Sequence, residues 1–252
     1  MFGTVRRKEI KKRAWEVAKK YYLPMLLVVF IWSFCRVTLT RQNIMNEEGT
    51  IGITNIMITL GVFNFTIDYN DSFRVFLATA ISIVIYFFVT CPMRYGVFNY
   101  FKKAAYNEHK NSLMDGYTEG RFLKSIVVFT VSDFLVAIFT FLLIIPGIIR
   151  SIEYTFIPYI MEDYPNEKVM EVLNHSKQLA YGHRMQIFWM DLSLLPWQIL
   201  GIILGLFTFG VGTNLVQPYI YEIKAQMYME LNKDKYKFDY AAKQVTANTV
   251  IE

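Results

Sequence analysis

Residues 122–163 read FLKSIVVFTVSDFLVAIFTFLLIIPGIIRSIEYTFIPYIMED, and no other stretch restricts the fold as strongly. A helix on the surface of a soluble domain shows an apolar stripe on one side only. This segment is apolar on all sides, in two runs separated by Pro146-Gly147. A hydrocarbon layer of about 30 Å needs about 20 mostly apolar residues in helical form, and residues 124–144 supply a run of 21. Proline fits the first turn of a helix, where its missing N–H is not needed, and Gly147 eases a tight corner. The sequence predicts an ascending helix, a Pro-Gly corner and a shorter descending helix over 147–163.

The rest of the chain agrees with a bilayer setting. Only 19% of the 252 residues are charged and 54% are hydrophobic, against about a quarter charged in soluble domains. Mean hydropathy is positive, +0.28. The expected fold class is all-α: a polytopic transmembrane helical bundle of about six spans, at 21–39, 72–93, 124–144, 147–163, 186–207 and 215–231. An N-terminal helix (1–20) and a polar tail (232–252) flank it, both on the inner side. The two cysteines, Cys35 and Cys91, then fall near opposite faces and do not pair. No metal site or cofactor is expected.

Residues 4–20 carry eight Lys/Arg and two Glu. Ile10, Ala14, Val17, Ala18 and Tyr21 share one helical face. A basic amphipathic helix of this kind suits an anionic leaflet; with a hydrophobic span following at once, it reads as a topogenic flank rather than a nucleic-acid arm. No small-x-small cleavage pattern follows span 1. The connection 41–71 is acid-biased and suits the outer face, with 51–67 as a short interfacial segment. Arg94 is placed to snorkel to the inner interface, and 95–124 reads as a basic cytoplasmic loop. Pro165-Asn166 opens an amphipathic helix over 167–181, with Asn166 as N-cap and Gly182 at its C-terminal end. Span 5 contains Pro196 and the close-packing pair Gly201/Gly205, read as intramolecular.

Counting Lys and Arg fixes the orientation. With six spans and the N-terminus inside, the inner compartments hold 21 of the 26 basic residues, against Arg36, Arg41 and Arg74 outside. Cytoplasmic segments carry such an excess. Merging spans 3 and 4 gives five spans and a poorer match. The chain is therefore expected in the cell membrane, multi-pass, with both termini inside.

Ionisable groups within hydrocarbon are expensive and mark candidate sites. Here they are Asp133, Arg150, Glu153, Asp191, Glu222 and Lys224. They read either as an ion or proton pathway or as mutually neutralising pairs, for example Lys224 or Arg150 against Glu153 or Asp133. Glu222 and Lys224 are two apart and do not face each other on a helix. All three histidines lie in loops. There is no HExxH, Gly-x-Ser-x-Gly elbow, P-loop or dinucleotide fingerprint, so no catalytic residues are assigned and the chain is not expected to be an enzyme.

Several short motifs occur together. Ile145-Pro146-Gly147-Ile148-Ile149-Arg150 leads to Tyr154 and Pro158-Tyr159-Ile160; Ser176 precedes Tyr181-Gly182-His183-Arg184; Trp197, Pro218-Tyr219 and Tyr228 follow, and Cys91-Pro92 leads to Gly96. In order and spacing this resembles a family of bacterial integral membrane proteins of unknown function, of Gram-positive type, over residues 7–231. The resemblance implies a polytopic helical membrane domain and no activity, substrate or catalytic residue. The expected function is a non-catalytic scaffold, regulator or envelope-associated component. Its partners would be the lipid bilayer, anionic lipids at the N-terminal helix, and a membrane-protein partner or a second copy; no nucleic acid is expected. The alternatives are a small transporter or channel using the intramembrane charges and, behind it, an enzyme acting on lipid.

Overall fold

The computed structural model describes residues 7–35, 37–45, 51–60, 63–68, 72–106, 113–118, 120–208 and 211–233. Expectations for Arg36, Lys110, Lys235, Lys237 and Lys243 fall outside them.

Helix α1 (Arg7–Lys20) meets α2 (Tyr22–Cys35) at a 90° bend. The apolar stripe of α1 forms as its spacing requires, but it does not lie in lipid. Ile10, Ala14 and Ala18 are buried, and α1 packs along the last helix of the chain. Arg13 pairs with Glu230 at 2.9 Å and Lys11 Nζ donates to the Ser193 carbonyl at 3.4 Å. The cations of the other face point outward.

The connection after α2, expected as a short interfacial segment, holds three strands beside an otherwise helical fold. Strands β1 (Val37–Met45), β2 (Ile51–Leu60) and β3 (Phe63–Asp68) form an antiparallel meander. Val37 pairs with Leu60 and Leu60 with Phe63, with a register shift at Gln42/Asn43. The reason is local: Val, Ile and Thr recur through these residues, and β-branched side chains favour extended backbone. Both outer edges of an open meander carry unpaired backbone groups, so the sheet suits water or interface and not hydrocarbon. Outside this sheet every described element is helical.

Next comes one long rod. Helix α3 (Ser72–Ile85) passes through a π-helical turn (Tyr86–Thr90) into α4 (Cys91–Ala105). Pro92 has no N–H to give, and the Cys91 N–H bonds back to the Tyr86 carbonyl. The wider turn absorbs the interruption. Residues 95–105, expected as loop, are therefore helix, and they are buried nearly all round. A 3₁₀ turn (Leu113–Tyr117) packs against α4.

Helix α5 (Arg121–Leu142) ends at Leu143, and α6 (Ile144–Glu153) carries Pro146 and Gly147 in its first turn, the expected corner. A Cβ on Gly147 would run into Thr140 of α5, so the corner closes only around glycine. The descending helix breaks at Tyr154–Phe156 before α7 (Ile157–Asp163). Helix α8 (Val169–Ala180) starts later than expected. Its first turn is capped by Glu171, whose carboxylate accepts from the Lys168 N–H at 2.7 Å, and not by Asn166. Span 5 divides into α9 (Arg184–Leu192) and α10 (Leu195–Phe207), which puts Pro196 in a first turn rather than inside a helix. Gly201 and Gly205 then seat α10 on α11 (Gly212–Leu231), an intramolecular contact.

Among the described residues, three helices are long and apolar enough to cross a membrane: Phe73–Ala105, Arg121–Leu142 and Arg184–Phe207; α1 with α2 as one bent unit would make a fourth. Large apolar side chains stand exposed, and several polar groups are buried within a mainly apolar core. Phe141 is 93% exposed, and Phe73, Phe76, Leu206 and Phe207 stand nearly as free. Buried Lys102, Glu153, Glu222 and Asn99 lie inside.

Two hydrogen bonds bear on the span count. Tyr22 Oη donates to the Leu215 carbonyl at 2.9 Å, and Thr90 Oγ1 donates to the Cys35 carbonyl at 3.0 Å. Six upright spans would put each pair on opposite faces of a layer about 30 Å thick. Helix α2 instead lies across the bundle, bridging α11 and the α3–α4 rod. Cys35 thus sits beside Thr90, next to Cys91, and not at the far end of the bundle from it, and the two thiols form no disulfide. In a chain with Cys35→Ser and Cys91→Ser, the pair Tyr22→Cys and Leu215→Cys should be joined within one chain by a short bifunctional thiol reagent. Absence of that crosslink, with both thiols reactive, would return α2 to an upright crossing.

Candidate functional site

The predicted ionisable residues separate into distinct clusters. Asp133, on α5, is bound by Arg94 Nη1 at 3.1 and 2.9 Å and accepts from Tyr86 Oη at 2.8 Å. Arg94 therefore does not snorkel to the inner face. It stacks over Phe129, 4.6 Å from the ring centre. The Asp133 and Arg94 side chains remain 43% and 32% exposed. Asp133 also opens a groove of about 600 Å³, lined further by Val136, Ala137, Thr140 and Phe141. These positions are three and four apart and form one face of α5.

Arg150 and Glu153 form the second cluster. Arg150 Nη1 bonds Glu153 Oε2 at 2.8 Å, one helical turn away, as the pairing reading expects. Arg184, which sequence reasoning did not include, binds the other carboxylate oxygen. Ser176 Oγ donates to the Glu153 backbone carbonyl at 2.6 Å. Gly182 adopts φ 83°, a left-handed conformation that ends α8 and turns the chain so that His183 and Arg184 open α9. His183 Nδ1 lies 3.1 Å from Gln186 Oε1. Arg150 and Arg184 thus meet on the Glu153 carboxylate and Ser176 on its backbone carbonyl, although the three are far apart in sequence.

Pro218 and Tyr219 lie on α11 and make no contact with that cluster in the described residues. Tyr219 meets Trp197 at 5.2 Å and Trp15 at 5.5 Å, an aromatic group joining α1, α10 and α11. Glu222 is 0% exposed. Its Oε1 accepts from Gln226 at 3.0 Å and its Oε2 has no partner. Among the described residues Asp191 and Lys224 make no ion pair, so the structure does not bring the six predicted groups into one network.

A third cluster went unrecognised. Lys102 Nζ bonds Asp163 at 2.8 Å, and Tyr228 Oη donates to the other Asp163 oxygen at 2.6 Å. Lys103 Nζ and Asn99 Nδ2 both reach Asp115 Oδ2 at 2.7 Å. Glu162 receives Tyr95 Oη, with Arg121 at 3.2 Å and Lys103 at 3.7 Å. Three cations face three carboxylates, drawn from α4, the 3₁₀ turn, α5 and α7. The signal is a basic doublet, Lys102-Lys103, which reads as loop, and an acidic doublet, Glu162-Asp163, which reads as the end of the descending helix; nothing local pairs them. Among the described residues, no group of three or more His, Cys, Asp or Glu is arranged to hold a metal.

Breaking a buried pair from one side strands a charge and typically costs about 3–5 kcal/mol. Lys102→Met should therefore lower unfolding stability in detergent by that order, and Lys102→Met with Asp163→Asn by less than the two single changes together. Simple additivity would remove the coupling.

No curated protein and no solved structure matches the chain. A family model does, over residues 1–235: DUF975, described as a protein of unknown function. That agrees with the resemblance to an uncharacterised family read from the motifs, and the description names no activity. The chain belongs to the DUF975 family.

Proposed function

We propose that this chain is an integral protein of the cytoplasmic membrane, both termini inside, that works without catalysis as a scaffold or regulator for other membrane components. The observation that carries this reading is the fate of its interior charges. Arg94 is spent on Asp133, Arg150 and Arg184 on Glu153, and the three cations of the third cluster on three carboxylates. The most deeply buried carboxylate, Glu222, is closed off at 0% exposure, and the groove that reaches Asp133 does not include it in its lining. A proton or ion relay needs neighbouring titratable groups joined to water on both sides; mutual pairing serves to hold helices together. Exposed apolar side chains on α3, α5, α6 and α10 support residence in lipid, and the basic bias of the chain supports the inside position of its termini.

Reconstituted in liposomes, the full chain should pass protons, sodium and potassium no faster than protein-free vesicles, with Asp133→Asn and Glu222→Gln indistinguishable from it. A flux above background that either substitution abolishes would favour the transporter reading instead.

A further inference from the structure

The three charge clusters are not alike in balance. The Arg94–Asp133 pair is neutral, and so is the group built on Lys102, Lys103 and Arg121 against Asp115, Glu162 and Asp163. Two guanidinium groups share the single carboxylate of Glu153, which leaves one positive charge over. Glu153 is almost wholly buried, whereas the side chains of Arg150 and Arg184 are 25% and 34% exposed. Each guanidinium therefore bonds Glu153 while its side chain stays partly exposed. A guanidinium has five N–H donors in a fixed fork. Arg184 Nε is buried and has no acceptor, and an unmet buried donor is itself destabilising.

The cluster is also rigid. Arg150 lies over Phe139 at 4.6 Å from the ring centre, and Arg184 over Tyr181 at 5.3 Å. Glu153 fixes both from below, and Ser176 fixes the Glu153 backbone. Such forks match the oxygens of phosphate better than an isolated lysine does. Aromatic and apolar side chains near it in sequence are exposed, Tyr181, Met185 and Trp189 around Arg184 and Ile148 and Ile149 before Arg150, as suits a headgroup layer.

We propose that the Arg150–Glu153–Arg184 cluster is a phosphate-binding site that takes the headgroup of an acidic phospholipid. The phosphate accepts from both guanidiniums and cancels the surplus charge, and an acyl chain lies along Ile148 and Ile149. The site differs from the basic face of α1, whose lysines and arginines are not gathered two on one buried carboxylate. The membrane residence proposed above enters only as the source of the phosphate.

The test uses the purified full-length chain in neutral detergent, with binding of phosphatidylglycerol, phosphatidylcholine and inorganic phosphate measured separately. Phosphatidylglycerol should bind at least ten-fold more tightly than phosphatidylcholine, and less tightly as salt is added. Arg184→Gln and Arg150→Gln should each remove most of that preference, Arg184→Lys should keep part of it, and Lys12→Gln with Lys19→Gln should leave it intact. If inorganic phosphate displaces phosphatidylglycerol from the unaltered chain and not from Arg184→Gln, the site accepts phosphate from solution as well; failure to displace assigns it to lipid alone. Should Arg184→Gln not fold, Arg184→Lys together with Arg150→Lys gives the same readout. An unchanged preference in folded Arg184 and Arg150 variants, or equal binding of the two lipids, would overturn the proposal. Neither result depends on the ion-flux measurement.

Discussion

A charge held in a medium of low dielectric must find a partner, and most of this molecule's interior follows from that requirement. The buried polar groups are not scattered. They join elements distant in sequence: α4 to α7 through Lys102 and Asp163, α11 to α7 through Tyr228 and Asp163, and α6 to α9 through Glu153 and Arg184. Where a helix has apolar side chains on its outer surface and lipid around it, burial of apolar area gives little preference for one neighbour over another. Polar pairing supplies the choice. Each pair is weak evidence for net stability, because removing two charges from water costs several kcal/mol per ion. Its clearer role is to specify which helix meets which.

Aromatic packing completes the interior. Tyr159 stacks on Tyr228 at 5.1 Å, and Phe98 and Phe101 approach Tyr221 at 5.4 and 5.3 Å. These rings fill the space between α4, α7 and α11, next to the salt bridges made by Lys102 and Glu162. The low local polarity that the rings create strengthens those bridges, and the bridges set the register in which the rings stack. Helix α1 is tied into the same body by Ile10, Ala14 and Ala18, by Arg13 to Glu230 and by Lys11 to the Ser193 carbonyl, and Lys8, Lys12, Lys19 and Lys20 stand on its exposed face.

The helical bulk was readable from the chain because long apolar runs allow few alternatives. The Pro146-Gly147 corner was readable because proline and glycine each admit few conformations. The β-meander was not: the 51–67 stretch is apolar with interrupting Gly and Asn, and periodicity over so few residues separates strand from interfacial helix poorly. Residues 95–105 of α4 read as loop because Lys102 and Lys103 belong to a basic run, and nothing local shows that Asp163 and Asp115 will reach them. For the same reason the pairing of Arg150 with Glu153, a contact within one turn, was foreseen, whereas Arg184, 31 positions beyond Glu153 in the chain, was not. The short motifs around Pro146, Ser176 and His183 point to the family and not to a meeting point. Only the fold brings Arg150 and Arg184 to a single carboxylate.

The claim beneath all of this is that the exposed apolar surface of α5, α6 and α10 lies in hydrocarbon while the polar clusters stay shielded. Spin labels placed one at a time at Phe141→Cys, Leu143→Cys and Leu206→Cys, in an otherwise cysteine-free chain reconstituted into bilayers, measure this directly. All three should relax readily with dissolved oxygen and stay hidden from a water-soluble nickel complex, while a label at Ala14→Cys meets neither. Ready access of the nickel complex to the three helix-tip positions would contradict the account.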